Sequence, residues 1–134
     1  MGRHQIVETD LRVRYAETDA MGIVYHGHYI VWFEVGRGEY MRQQGGDYAE
    51  FEAQGYYLPV IELDARFLAP ARYGDLVTVR TWVEEMRSRG VTFAYEVVMR
   101  ETGQTLATGH TRHVCVDREG QVRRLPQKLR ALLR

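Results

Sequence analysis

The sequence predicts a two-layer α+β domain, in which a five-stranded antiparallel sheet packs against one long helix. Two observations predict it. Only one long segment has the apolar spacing of a helix, and the segments around it are rich in β-branched and aromatic residues. A helix of about 17 residues is ~25 Å long, which is comparable with strands of about ten residues at ~3.3 Å each. The predicted order is one strand, the helix and four strands (β-α-β-β-β-β).

The first strand and the helix are predicted from residues 5–44. Residues 5–15 include a stretch of alternating apolar and charged residues, as in a half-buried strand. Residues 16–27 contain two glycines and predict an ordered loop. Between His28 and about residue 44, aromatic residues and Gly36 recur at spacings of three and four on one helical face. Gly36 costs ~1 kcal/mol relative to Ala in a helix, so we expect it to allow a close approach of the sheet.

Four consecutive strands are predicted after the helix, because the helical spacing disappears and turn-forming segments separate the apolar runs. Their predicted ranges are 56–68, 76–86, 91–100 and 105–116. Residues 47–54 predict a short helical turn with Asp47 as its N-cap. Residues 126–133 predict a short C-terminal helix with Pro126 near its first turn.

Composition excludes several classes of protein. The chain has 134 residues, and 18 lysines and arginines balance 18 aspartates and glutamates. That length predicts a single domain over residues 1–134, and zero net charge argues against a nucleic-acid partner. The longest apolar run, residues 29–33, is far shorter than the ~20 residues that span a membrane. One cysteine and no signal-peptide pattern predict a cytoplasmic protein.

The loop before the helix carries the most informative motif. The segment from Tyr15 to Arg37 resembles the signature of the hotdog-fold acyl-CoA thioesterases, in the group of 4-hydroxybenzoyl-CoA thioesterase and the Tol-Pal-associated small acyl-CoA thioesterases. The resemblance rests on Asp19, Gly22, Val24, Tyr25, His26, Tyr29, Glu34 and Arg37. It implies a hotdog fold and hydrolysis of an acyl- or aroyl-CoA to a carboxylic acid and CoA. It also implies a homodimer or homotetramer and no cofactor, since coenzyme A is part of the substrate.

Asp19 and His26 are the predicted catalytic residues. The unpaired N–H groups at a helix start can stabilise the negative charge that develops on a carbonyl oxygen. The resemblance places this donor at the backbone N–H of His26 and makes Asp19 the nucleophile or general base. Alternatively, Asp19 caps the loop by accepting a hydrogen bond from the backbone of Met21 or Gly22. The His26 side chain either has a second catalytic role or is a half-exposed residue at the helix start.

Other residues are predicted to bind the substrate. Gly22 permits an unusual backbone angle or a close approach of the acyl group, and the shared motif adds Val24, Tyr25 and Tyr29. Pro59 lies in an apolar segment, residues 57–60, that lines either the acyl tunnel or ordinary core. Arg87 and Arg89 occupy a turn between two strands, where they hold the CoA phosphates or simply face solvent.

Several alternatives remain open in the sequence. Glu34 either forms an ion pair with Arg37, which we favour, or acts as a catalytic acid on the helix. Glu17 is expected to be solvated rather than reactive. No metal site is predicted, because His110 and His113 would point to opposite faces of one strand. A non-catalytic acyl-CoA-binding hotdog module is the alternative function.

Overall fold

The computed structural model describes residues 5–133, and its elements follow the predicted order. The strands are β1 (Val7–Arg12), β2 (Val60–Phe67), β3 (Leu76–Met86), β4 (Gly90–Met99) and β5 (Thr105–Val114). The helices are α1 (His26–Gln43), α2 (Tyr48–Ala53) and α3 (Gln127–Leu132), and a 3-10 turn spans Tyr15–Glu17. No helix of the described residues is long and apolar enough to cross a membrane.

The five strands form one antiparallel sheet in the order β1-β3-β4-β5-β2. Helix α1 packs across β1, β3 and β4. The predicted architecture of one long helix and a five-stranded antiparallel sheet is therefore confirmed. Strands β1 and β2 are the two edges of the sheet, and α1 leaves the helix-facing side of β2 largely uncovered.

The core lies between α1 and the middle of the sheet. The Phe33 ring stacks on Tyr95 at a centroid distance of 4.3 Å, and Tyr40 contacts Phe93 edge-on at 5.8 Å. Gly36 faces β3 between these aromatic residues, and a Cβ atom there would collide with Thr81 Oγ1. The close approach predicted at Gly36 is present, and it lets the aromatic rings on either side of the glycine reach the sheet.

Some element ends differ from the prediction. Helix α1 begins at His26 rather than His28, and β1 is shorter than residues 5–15 because the 3-10 turn follows it. Strand β2 begins at Val60 rather than residue 56, because Pro59 has no N–H to donate and Tyr57 pairs instead with Val116. The Asp47 cap is present, since its Oδ1 accepts the Ala49 N–H at 2.9 Å. Pro126 directly precedes α3, as expected.

Candidate active site

A closed loop leads into α1 and carries Asp19. At its base the Tyr25 N–H donates to the Glu17 carbonyl at 2.9 Å, and Thr18 pairs with Val24. At its tip the Gly22 N–H donates to the Asp19 carbonyl at 2.9 Å. Gly22 has φ of +80°, and nothing lies within 4 Å of the position that a Cβ atom would occupy. Gly22 is therefore explained by its left-handed backbone angle and not by a close approach of protein atoms.

The Asp19 carboxylate has one bonded and one unbonded oxygen. Its Oδ1 accepts the Met21 N–H at 2.8 Å, which is the loop-capping contact that the sequence allowed. Its Oδ2 has no hydrogen-bond partner among residues 5–133. The side chain is half-buried and lines a cavity. Capping and chemistry are therefore compatible, since one oxygen orients the group and the other remains available to water or substrate.

His26 opens α1 at the same cavity. Within the described residues its backbone N–H has no acceptor, as is usual for the first turn of a helix. Its exposed imidazole packs against the Tyr25 ring at 4.3 Å and the Phe67 ring at 6.1 Å. An unpaired amide at the positive end of α1, beside an ionisable carboxylate, is an arrangement that can polarise a carbonyl and direct a nucleophile toward it.

The cavity has a volume of about 370 Å³ and is mostly apolar. Its walls are Asp19, Ile23, Val24, His26, Tyr29, Phe67, Leu68, Ala69 and Pro70. Tyr29 is buried, which raises the pKa of its hydroxyl and keeps it neutral. A single carboxylate in an apolar cavity at a helix start suits an uncharged carbonyl compound with an apolar substituent.

Four predicted residues therefore meet at this cavity, namely Asp19, Val24, His26 and Tyr29. Tyr25 lies beside it, with its ring against His26, and Gly22 is at the exposed loop tip. Sequence reasoning missed the opposite wall, residues 67–70, which comes from the end of β2. The local signal that could have indicated it is an aromatic residue, Phe67, at the end of a predicted strand.

Three predicted binding residues lie elsewhere in the chain. Pro59 is exposed just before β2 and does not line this cavity within one subunit, so its place along the acyl group stays a prediction. Arg87 and Arg89 line a separate cavity of about 250 Å³ beside Ile61 and His113. Because Val60 pairs with His113 at one end of β2 and Phe67 is at the other, the two cavities are ~20 Å apart.

Two expectations about carboxylates are wrong. Glu34 and Arg37 form no ion pair, because Arg37 turns toward the sheet and donates to Tyr95 Oη at 3.2 Å while Glu34 is exposed. Glu17 is buried rather than solvated, and it accepts a hydrogen bond from the Trp32 indole at 2.9 Å. Burial alone would raise the pKa of Glu17, but hydrogen bonds from the Arg14 backbone, Trp32 and the Arg14 side chain together lower it.

The histidines of β5 point to opposite faces, as the strand period requires. His113 is buried under α1, whereas His110 contacts Asp64 at 3.0 Å and Glu84 at 3.3 Å on the outer face. Cys115 is buried on the side of His113. In the part of the chain that the structure describes, no three His, Cys, Asp or Glu side chains converge as metal ligands would.

One long helix packed on a five-stranded antiparallel sheet defines a hotdog domain. The chain belongs to the thioesterase-like superfamily, whose family model matches residues 13–133. YneP of Bacillus subtilis (strain 168), provisionally named an acyl-CoA thioesterase, is 35% identical over 114 residues, which are 85% of this chain and 82% of YneP.

Two solved structures are similar over most of their length. Hypothetical protein TT1821 of Thermus thermophilus has a TM-score of 0.88 and 41% identity, covering 94% of this chain and 95% of its own. The DHNA-CoA thioesterase of Staphylococcus aureus has a TM-score of 0.86 and 36% identity, covering 90% of this chain and 80% of its own. The hotdog fold and the classification as a thioester hydrolase, both implied by the sequence motif, are confirmed.

Proposed function

We propose that this protein hydrolyses an acyl- or aroyl-CoA thioester to a carboxylic acid and CoA. In this proposal Asp19 is the nucleophile or general base, and the backbone N–H of His26 is the oxyanion donor. The observation that carries it is that Asp19 and His26 line one apolar cavity at the start of α1. The names of YneP and the Staphylococcus aureus enzyme support a CoA thioester as the substrate.

The reaction can follow two routes from this geometry. In the first, Asp19 Oδ2 attacks the carbonyl carbon, the C–S bond breaks, and CoA leaves as a thiolate that takes a proton from water. Hydrolysis of the resulting mixed anhydride then restores Asp19. In the second, Asp19 removes a proton from a water molecule that attacks the carbonyl directly. In both routes the His26 N–H stabilises the oxyanion, and neither requires a metal or redox cofactor.

The Asp19→Asn variant tests this function. It keeps the volume of the side chain and an oxygen that can accept the Met21 N–H, so the loop should fold normally. We expect kcat to fall at least about a hundredfold, or ~2.7 kcal/mol of barrier, measured as thiol release from a panel of acyl- and aroyl-CoAs. Equal turnover by the variant would contradict the role of Asp19. If neither protein turned over any substrate but both bound it, the protein would be an acyl-CoA-binding module.

A homodimer through β2 is the second part of the proposal. Among residues 5–133, strand β2 pairs only with β5, so its outer edge of backbone groups has no partner strand in this part of the chain. Its side chains include Leu63, 41% exposed, and Phe67, 49% exposed, while α1 exposes Ile30 and Val31. Such a row of uncovered apolar side chains beside an open sheet edge is typical of a protein interface.

Two-fold pairing of β2 would also complete the site. If two antiparallel copies of β2 met about their centre, Val60 of the partner subunit would lie opposite Phe67. The adjoining hairpin would then bring Arg87 and Arg89 of the partner subunit next to the Asp19 cavity. We propose that these arginines bind the CoA phosphates across the subunit boundary. The same pairing would bring Pro59 of the partner subunit toward the Asp19 cavity.

A further inference from the structure

Glu17 is a buried carboxylate beside the candidate site that the proposed reaction does not use. It is 3% exposed, and its two oxygens accept three hydrogen bonds. Oε1 accepts the Arg14 N–H at 2.8 Å, while Oε2 accepts the Trp32 indole N–H at 2.9 Å and an Arg14 guanidinium N–H at 3.3 Å. A charge buried to this extent persists only where such partners replace water.

These bonds connect the loop of Asp19 to the helix of His26. Glu17 lies two residues before Asp19, and Trp32 lies on α1 six residues after His26. The Glu17 carbonyl accepts the Tyr25 N–H, which immediately precedes α1. One residue thus joins the loop to the start of α1 through its backbone and to the second turn of α1 through its side chain.

Asp19 has no hydrogen bond of its own to α1 among residues 5–133. Its side chain bonds Met21, and its backbone N–H donates to the Ile23 carbonyl at 2.9 Å, so these contacts stay within the loop. The far end of the loop is held by Val24, whose N–H donates to the Ala71 carbonyl. Among residues 5–133, Glu17 is the loop residue whose side chain hydrogen-bonds a side chain of the helix that presents the His26 amide.

We infer that Glu17 is a positioning residue, whose carboxylate sets the placement of Asp19 relative to the His26 N–H by bonding Trp32. This inference rests on the proposed function of Asp19. Displacement of a reacting group by about 1 Å can cost ~100-fold in rate. Loss of the Glu17 charge should therefore slow the chemical step while leaving the substrate-binding surface unchanged.

The test compares Glu17→Gln in two backgrounds. In the wild-type background we expect kcat to fall ~10- to 100-fold while KM changes less than ~2-fold. In the Asp19→Asn background we expect no further loss of the residual rate, because the group that Glu17 positions is already absent. A merely structural defect would lower the rate by the same factor in both backgrounds, and that result would overturn the inference.

Glu96→Gln is the matched control. Glu96 is a half-buried carboxylate on the outer face of the sheet that accepts hydrogen bonds from Arg80 and Thr105. It should lose stability without losing kcat. If Glu17→Gln does not fold, Trp32→Phe removes the indole donor alone. We then expect the same loss of kcat in the background with wild-type Asp19 and no further loss in the Asp19→Asn background.

The remaining outcomes separate the two proposals. Wild-type kcat for Glu17→Gln, together with an inactive Asp19→Asn enzyme, would overturn the positioning role and leave the proposed function intact. An active Asp19→Asn enzyme would remove the proposed function first and the positioning role with it.

Discussion

His113 ends a directional chain of hydrogen bonds beneath α1. Its Nδ1 lies 2.9 Å from the Leu58 carbonyl, which can only accept, so Nδ1 carries the proton and Nε2 accepts from Thr111 at 2.8 Å. Thr111 Oγ1 then accepts from the Tyr95 hydroxyl at 2.6 Å, and Tyr95 accepts from Arg37. The chain satisfies each buried group and requires a neutral imidazole.

The neutral state of His113 predicts a pH dependence of stability. Burial lowers the pKa of His113 to about 4, against 6.5 for an ordinary histidine. Between those values the unfolded chain binds a proton that the folded chain does not, so stability falls as pH falls. The wild-type free energy of unfolding should drop by about 2 kcal/mol from pH 7 to pH 5 through this group. Urea unfolding of wild type and His113→Gln at both pH values measures it.

His110 provides the control for that measurement. The hydrogen bond with the Asp64 carboxylate raises the pKa of His110 in the folded protein. Protonated His110 therefore stabilises the fold below pH 6.5, and this stabilisation is lost as the pH rises through the pKa of His110 in the folded protein. His110→Gln should therefore change the pH dependence of the free energy of unfolding above pH 6.5 and leave the decrease between pH 7 and pH 5 in place. The lowered pKa of Glu17 affects stability only below about pH 4.5, the ordinary pKa of a glutamate, and so does not contribute between pH 7 and pH 5. Equal losses for wild type and His113→Gln between pH 7 and pH 5 would contradict the assignment.

At the scale of elements, two glycines of α1 differ in what surrounds them. A Cβ atom at Gly36 would collide with Thr81 Oγ1 and meet Val79, whereas one at Gly38 would meet only the flexible end of Arg42. Gly36→Ala should destabilise the fold by about 1–3 kcal/mol through overpacking. Gly38→Ala should stabilise it by up to ~1 kcal/mol through helix propensity. Urea unfolding of both variants gives the two signs.

Thr81 makes the Gly36 prediction more specific. Its buried Oγ1 has no hydrogen-bond partner within the described residues, so removing it breaks no bond. A Gly36→Ala/Thr81→Ala double variant should therefore recover part of the lost stability. If both glycine variants changed the free energy of unfolding by the same amount in the same direction, helix propensity alone would determine their stability. The packing of α1 would then not depend on a close approach to β3.

Patterns that lie within one stretch of sequence were predictable, and contacts between distant stretches were not. The helical spacing from Tyr29 to Tyr40 is local, and so is the motif from Asp19 to His26. The cavity wall from Phe67 to Pro70 joins the site because β2 is the edge strand next to β5, which no local pattern records. The order of the strands therefore places four of the nine residues that line the cavity.

The wrong expectations about charged residues have the same cause. Glu17 is buried because Trp32 and Arg14 supply its donors, and Arg37 bonds Tyr95 because the helix turns that position toward the sheet. For Glu34 and Arg37, spacing along the chain favoured an ion pair at i,i+3, but the rotation of α1 places Arg37 within reach of Tyr95 instead.

At the scale of the whole molecule, the proposed dimer explains why the chain separates its arginines from its carboxylate. Within one subunit the hairpin of Arg87 and Arg89 is at the opposite end of β2 from Phe67 and Asp19. A two-fold axis near the centre of β2 would place the hairpin of one subunit at the same end of the paired strands as Asp19 of the other. Each proposed site would then use the loop of one chain and the hairpin of the other.

Complementation between two defective subunits tests this arrangement. Asp19→Asn and an Arg87→Ala/Arg89→Ala double variant should each show low kcat/KM, for lack of the carboxylate and of the phosphate-binding groups respectively. After mixing and refolding, half of the dimers should be heterodimers. In each heterodimer, the site with an intact Asp19 faces intact arginines of the partner subunit. Activity should therefore recover to about a quarter of the wild-type value per subunit in the mixture.

Leu63→Arg supplies the control, because a charge at the centre of the β2 edge should prevent pairing. Introduced into both parents, it should give a mass equal to one chain in sedimentation and no recovery on mixing. If arginines and carboxylate acted within one chain, no heterodimer site would have both, and mixing would restore nothing even where dimers form. Dimers without recovery would thus contradict the shared site, while monomeric wild-type protein would contradict the β2 interface itself.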